Sequence, residues 1–227
     1  MKKVLLSWSS GKDSAWALHV LRQRGEFEIV GLLTTVNQEA DRVAMHGVRR
    51  ILIERQAEAA QLSLQTVPLP WPCSNEEYEA RMAQACAEAM SRGITHVAFG
   101  DLFLEDVRTY RERQLTGTGL EPVFPIWGQP TAALAREMIA AGLKATLTCV
   151  DTNKINRSFA GRSFDENLLA DLPTGADPCG ENGEFHSFAH AGPMFSCEIP
   201  VVGGEIVVRD SFVFADLLPA DARLSGR

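Results

Sequence analysis

Residues Val4 to Leu21 read VLLSWSSGKDSAWALHVL, and the break inside them decides the fold. Val4, Leu5 and Leu6 form an apolar run, Ser7 to Ser14 are mostly small or charged, and apolar residues return at Ala15, Trp16, Leu18 and Leu21 with helical spacing. The small residues therefore lie where a buried strand turns into a helix. Free backbone N–H groups and the positive end of the helix dipole meet there, which suits an anion. Gly11 lets the backbone come close to a phosphate, Ser9, Ser10 and Ser14 offer hydroxyls, Lys12 adds a positive charge, and Asp13 sits where a helix cap belongs. A Walker A loop would need Gly at position 6 and Ser or Thr at position 13, where Leu6 and Asp13 stand. No GxGxxG fingerprint occurs either, so a dinucleotide site is unsupported.

Outward from this turn, further apolar runs of strand length cover Ile29 to Val36, Leu64 to Leu69, His96 to Asp101 and Pro122 to Trp127. Between them, Val48, Ile51, Leu52 and Ala59, then Tyr78, Met82, Ala85, Ala89 and Met90, recur at helical intervals and read as core stripes. Strands apolar on both faces imply a parallel sheet covered by helices. The expected fold is α/β, a doubly wound five-stranded parallel sheet with ligands beyond the carboxyl ends of its strands. Gly100 and Asp101 end the fourth strand at that rim, and His46 opens the second helix. Asp101 either touches ligand or caps the next helix; His46 has the same two readings. Arg108 and Arg111 are either helix-surface charges or clamps for phosphate or carboxylate.

The pattern changes after Trp127. A helical segment, Thr131 to Ala141, leads into the strand-like ATLTCVD, then into loops rich in Gly, Pro, Asn and Asp. The closing MFSCEIPVVGGEIVVRDSFVFADLL holds two strand-like runs around Gly203 and Gly204, a hairpin signal. Two domains are expected: residues 1–128, and a smaller α+β domain over 129–227.

The whole chain fits this picture. Its 227 residues suffice for a sizeable core, and 45% hydrophobic with 22% charged residues is ordinary for a soluble protein. A formal net charge of -7 without a basic stripe argues against nucleic acid and for a small or protein substrate. The opening MKKVLLSW reaches Ser7 too soon for a signal peptide, and no run approaches the roughly 20 apolar residues of a membrane span. Five scattered cysteines with no CxxC pair suggest reduced thiols and a cytoplasmic setting.

A second polar stretch, DPCGENGEFHSFAHAGPMF, spans Asp177 to Phe195. Glu181 and Glu184 flank an Asn182-Gly183 turn, followed by Phe185, His186 and Ser187. SSGKDS resembles the SGGxDS pyrophosphate loop of the ATP-pyrophosphatase superfamily, with Ser10 where the first Gly stands. The second stretch resembles the E-x-G-E-[FY] signature of the diphthine-ammonia ligase family, carried here by Glu181, Gly183, Glu184, Phe185 and the hydroxyl of Ser187. RVAMHGVRRILIERQAEA and FGDLFLEDVRTYRERQL extend the resemblance through the middle of the chain.

The resemblance implies an adenine-nucleotide α-hydrolase-like domain with a family-specific C-terminal domain. It also implies a ligase that spends ATP, releases AMP and pyrophosphate, and turns a carboxylate into an amide with ammonia. Ser9, Ser10, Gly11, Lys12 and Ser14 are then expected at the β and γ phosphates, and Asp13 at Mg²⁺. His46, Gly100 and Asp101 would border the nucleotide. Glu181, Asn182, Gly183, Glu184, Phe185 and His186 would meet the substrate. Lys12, Asp13, Glu181 and Glu184 are the expected catalytic groups, with three roles open for the glutamates: holding ammonium, taking its proton, or binding the acceptor. His186 is either a proton acceptor or a packed histidine. The implied acceptor is diphthine on an elongation factor or a small carboxylated metabolite, and a homodimer is a further expectation. Two other readings stay open, an ATP-binding sensor without turnover and a tRNA-modifying relative, although the chain lacks the thiol pairs or basic extensions of the latter.

Overall fold

Burial on both faces is what the first strand shows. In the computed structural model, which describes residues 1–43 and 47–221, β1 (Lys2–Ser7) carries Val4, Leu5 and Leu6 sealed from solvent. α1 (Lys12–Arg24) follows and stops at Gly25, whose φ of 62° lets its N–H bond the Leu21 carbonyl at 3.1 Å. Then come β2 (Phe27–Asn37), β3 (Arg42–Val43), α2 (Arg50–Ala60), β4 (Leu64–Leu69) and α3 (Asn75–Ser91). β5 (His96–Ala98), α4 (Glu105–Leu115) and β6 (Glu121–Val123) complete the first half. His46 lies outside the described residues, and the second helix begins at Arg50.

Parallel ladders run in the order β4-β2-β1-β5-β6, with the two-residue β3 added antiparallel to the end of β2. The chain winds outward from β1 through β2 to β4, then returns to the other side of β1 for β5 and β6. The reversal falls between β1 and β5, so the loops after these two strands frame the switch-point crevice of a doubly wound sheet.

The second half contains α5 (Thr131–Ala140), β7 (Lys144–Asp151), a short 3₁₀ turn at Arg157–Phe159, α6 (Glu166–Asp171), β8 (Phe185–Ala191), β9 (Val201–Arg209) and β10 (Phe212–Pro219). Its four strands pair antiparallel in the order β8-β7-β10-β9. The hairpin turn is not at Gly203-Gly204, which lie inside β9, but at Asp210-Ser211, with Asp210 at φ 51°. Asp tolerates the left-handed region, and the β-branched run Ile206 to Val208 extends the strand past the glycines. One apolar core runs through both sheets, from Val4, Leu6 and Trp16 to Leu147, Phe188 and Val213. Among the described residues, no helix is long and apolar enough to cross a membrane.

Two polar devices stitch the halves together. Asp216 on β10 accepts from Arg42 at 2.8 Å and from Arg49 at 2.6 Å, joining β10 to the start of α2. Deeper, the fully buried Gln56 of α2 donates to the carbonyls of Ser10, at 2.9 Å, and Ala189, at 2.6 Å, while accepting from Trp8 Nε1 at 2.8 Å. Replacing Gln56 by Leu keeps the volume but strands these buried groups. The expected cost is about 3 kcal/mol, read as a lower midpoint in denaturant with the slope unchanged.

Candidate active site

The turn after β1 is held from behind by the second sheet. Ser10 adopts φ 71°, the left-handed conformation that the glycine of the related motif accepts without strain, and its carbonyl accepts from the Ala189 N–H at 3.0 Å. The first turn of α1 is capped across the fold: the buried Ser187 hydroxyl accepts the Lys12 N–H at 3.2 Å. Asp13 does not cap it. Gly11 occupies the cap position and has no side chain to bond, while Asp13 lies inside the first turn with its carboxylate on Lys12. Ser9 and Ser14 bond each other at 3.1 Å, and Ser14 Oγ donates to the Gly11 carbonyl at 3.0 Å. Gly100 touches the same turn, since a Cβ there would fall 2.9 Å from the backbone of Asp13 and Ser14.

Lys12 is 2% exposed, an unusual place for an ammonium. Its Nζ donates to Asp13 Oδ2 at 2.9 Å and to the Cys179 carbonyl, and it lies 5.2 Å from the Phe185 ring centroid and 5.5 Å from that of Phe164. Burial alone would lower its pKa, but Asp13 and the neighbouring acids outweigh it, so the net shift is upward and the charge persists. The second Asp13 oxygen, Oδ1, is buried and has no partner among the described residues.

The 177–187 segment forms the opposite wall. Buried Asp177 gathers the loop, its Oδ2 accepting from the N–H groups of Cys179 at 3.1 Å and Glu181 at 2.9 Å. Gly180 and Gly183, with φ of 71° and 81°, close the turn through a 3.0 Å bond from the Gly183 N–H to the Gly180 carbonyl. Glu184 points inward: Oε1 accepts from the Asp177 N–H at 2.8 Å and from Asn182 Nδ2 at 3.3 Å, and Oε2 is buried and unpaired among the described residues. Glu181 takes a different position, bonding the Leu102 N–H at 2.8 Å beyond β5. Burial pushes its pKa up to about 7; the Leu102 bond opposes the shift, and the negative charge of Asp13 reinforces it. Burial, helped by Lys12 and Lys154, pushes His186 down to about 4, so it is neutral at physiological pH. Asp101 does not cap α4, whose cap residue is Leu104; it accepts from Arg111 at 3.4 Å.

These walls enclose a cavity of about 210 Å³ lined by Ser9, Gly11 to Ser14, Gly100, Asp101, Glu181, Gly183 and His186. The two polar segments, far apart in sequence, thus face one space. A larger, more apolar cavity of about 700 Å³ adjoins it, sharing Ser7, Ser9, Phe99 and Arg111. Asn182 and Glu184 are not among the residues lining either cavity; they support the loop that presents Glu181. Sequence reasoning missed most of the larger cavity, to which Thr34, Tyr78, Met82, Arg113 and Thr116 contribute from three elements or their ends. It also missed Gln56, which carries no local signal, and Asp177, whose place in the second polar stretch was the one available clue.

Two family models match the chain: one described as diphthamide synthase N-terminal domain over residues 1–122, and one described as diphthamide synthase C-terminal domain over 130–217. The diphthine–ammonia ligase of Rattus norvegicus is 26% identical over 240 residues, covering 96% of this chain and 89% of the relative. That of Homo sapiens is 25% identical over 228 residues, covering 91% and 85%. The relative from Danio rerio reaches 29% over 127 residues, about half of each chain, at 54% and 50%.

The strained Ser10 gives a direct check on loop geometry. Ser10→Gly is expected to stabilise the protein by about 1 kcal/mol in thermal melts, and the β-branched Ser10→Val to destabilise it by more.

Proposed function

The chain belongs to the diphthamide synthase family, and from that premise we propose that it is an ATP-dependent ligase that releases AMP and pyrophosphate while amidating a carboxylate with ammonia. The observation that carries this reading is the shared 210 Å³ cavity, where the phosphate-type turn and the Glu181 loop stand face to face. A carboxylate is a poor electrophile. Its oxygen attacks the α-phosphorus, pyrophosphate leaves, and the nitrogen of ammonia then displaces AMP from the acyl carbon.

Each residue's part follows from its surroundings. The turn from Ser9 to Ser14 offers N–H and hydroxyl donors to the β and γ phosphates. Lys12 supplies positive charge from behind it, at low dielectric, where the field is strongest. The adjoining 700 Å³ cavity is of a size to take the adenosine, with residues 1–128 forming the nucleotide half and 129–227 the acceptor half. Mg²⁺ fits the unpaired Asp13 Oδ1, a hard oxygen beside the phosphate turn, and when bound would neutralise phosphate charge. Gly100 lets the rim of β5 approach without a side chain. Asp101, tied to Arg111, borders the junction of the two cavities.

Glu181 is the group we assign to ammonium and its proton. It lines the small cavity, and a carboxylate that titrates near neutrality is matched to accept a proton there. Glu184, Asn182 and His186 hold and shape the loop. The small cavity admits the end of an acceptor and not a bulky body, which suits a carboxylate presented on a side chain. Diphthine, for which the similar ligases are named, is the proposed acceptor, presented on an elongation factor, and a small carboxylated metabolite would enter the same way.

Pyrophosphate release that depends on both ammonium and acceptor is the primary expected result. Asp13→Asn, which keeps an oxygen for Lys12 to bond, should lower it at least about 100-fold with the fold intact by circular dichroism; turnover undiminished in that variant would contradict the site. At fixed free ammonia, the wild-type rate should rise with pH through about 7, because the upward-shifted Glu181 ionises only there. Glu181→Gln should be slower by about 100-fold and lack that rise.

A further inference from the structure

β9 is the outer strand of the second sheet, paired among the described residues with β10 alone. Such an edge is normally blunted by charge, proline or cover. Here a bulge interrupts the pairing with β10 between Gly203 and Ile206, and the strand ends in EIVVR, Glu205 to Arg209, where Ile206 and Val208 are 60% and 54% exposed while Val207 is 37% exposed. Ile206 stands opposite Ala215 and Val208 opposite Val213, both buried, so the two exposed side chains continue the core-facing side of the sheet past its edge. Val207 lies on the other side, flanked by Glu205 and Arg209, and neither charged residue makes an ion pair among the described residues.

The direction of the backbone groups follows from the turn. Arg209 and Phe212 are opposite each other across the two-residue Asp210-Ser211 turn, the position of a hydrogen-bonded pair. Alternation then turns the N–H and C=O of Arg209 and Val207 toward β10, and those of Val208 and Ile206 outward.

We propose that this edge binds a second copy of the chain, antiparallel about a two-fold axis through Val207, merging the two four-stranded sheets into one. The sequence is self-complementary in that register. Ile206 faces the partner's Val208 on the inner side, in the outward-bonding pairs. Glu205 faces the partner's Arg209 on the outer side, and Val207 faces the partner's Val207. Moving the axis by one residue, to Ile206, would set Glu205 against the partner's Val207 and forfeit both ion pairs. An isologous contact of this kind closes on itself instead of growing into a fibre. The proposal is independent of the catalytic reading, since no residue of either cavity is involved.

Sedimentation velocity of the full chain tests it. A reversible dimer is expected by about 100 µM, the modest affinity of a contact smaller than a standard interface. Glu205→Arg should weaken it about tenfold by replacing two ion pairs with two repulsions, and Glu205→Arg with Arg209→Glu together should restore it. Val207→Cys, placed in a Cys197→Ser background because Cys197 is exposed, should give a disulfide-linked dimer on oxidation, the two Cα atoms being directly opposite. A chain monomeric throughout that range, or a dimer indifferent to Glu205→Arg that fails to cross-link through position 207, would overturn the proposal. Circular dichroism of each variant separates loss of pairing from loss of fold.

Discussion

A single buried ammonium organises the site. Lys12 follows the first strand in sequence, yet its Nζ is tied to the Cys179 carbonyl of the second half and enclosed by Phe164 and Phe185 from that same half. A charge removed from water so completely is tolerable only with a partner, and Asp13 supplies it at 2.9 Å. The turn and the 177–187 loop therefore cannot separate without exposing Lys12, breaking its bonds and opening apolar surface. Ser187 on the Lys12 N–H, and Ala189 and Gln56 on the Ser10 carbonyl, reinforce the same junction. The strained φ of Ser10 survives because these bonds over-determine it.

This junction also explains how two glutamates three residues apart differ. Glu184 is drawn inward by the Asp177 N–H and Asn182 and becomes part of the loop's frame. Glu181 sits at the rim, on the Leu102 N–H, where burial and the acids nearby hold its proton to near neutrality. The split leaves Glu184 buried in the frame and Glu181 lining the small cavity, which is why the proposed proton chemistry falls to Glu181. It comes from the tight glycine turn between them, which reverses the chain and sends the two side chains to different places.

Much of this was legible in the sequence because it is local. The strand-turn-helix at Val4 to Leu21 needs only a change of apolar period, and Leu64–Leu69 appears as a strand at the bounds expected. Pairing SSGKDS with the 177–187 stretch as one site was legible only through resemblance, since nothing in either segment alone specifies the other. What escaped was set by tertiary contacts. Asp13 looks like a cap, but Lys12 claims its carboxylate and Ser187 does the capping from the other sheet. Gly203-Gly204 looks like a turn, but the chain reverses at Asp210-Ser211. The larger cavity is assembled from faces of β2, α3 and α4 and the loop after it, which only the tertiary fold brings together.

The central claim is that the junction around Lys12 brings a nucleotide's phosphates and an acceptor to one space. A crystal structure of the chain with Mg²⁺ and a non-hydrolysable ATP analogue tests it most directly. The triphosphate is expected along Ser9 to Ser14, the adenosine in the larger cavity and the α-phosphorus turned toward Glu181. A nucleotide bound away from that turn, or one bound there with its α-phosphorus turned from the Glu181 loop, would contradict it.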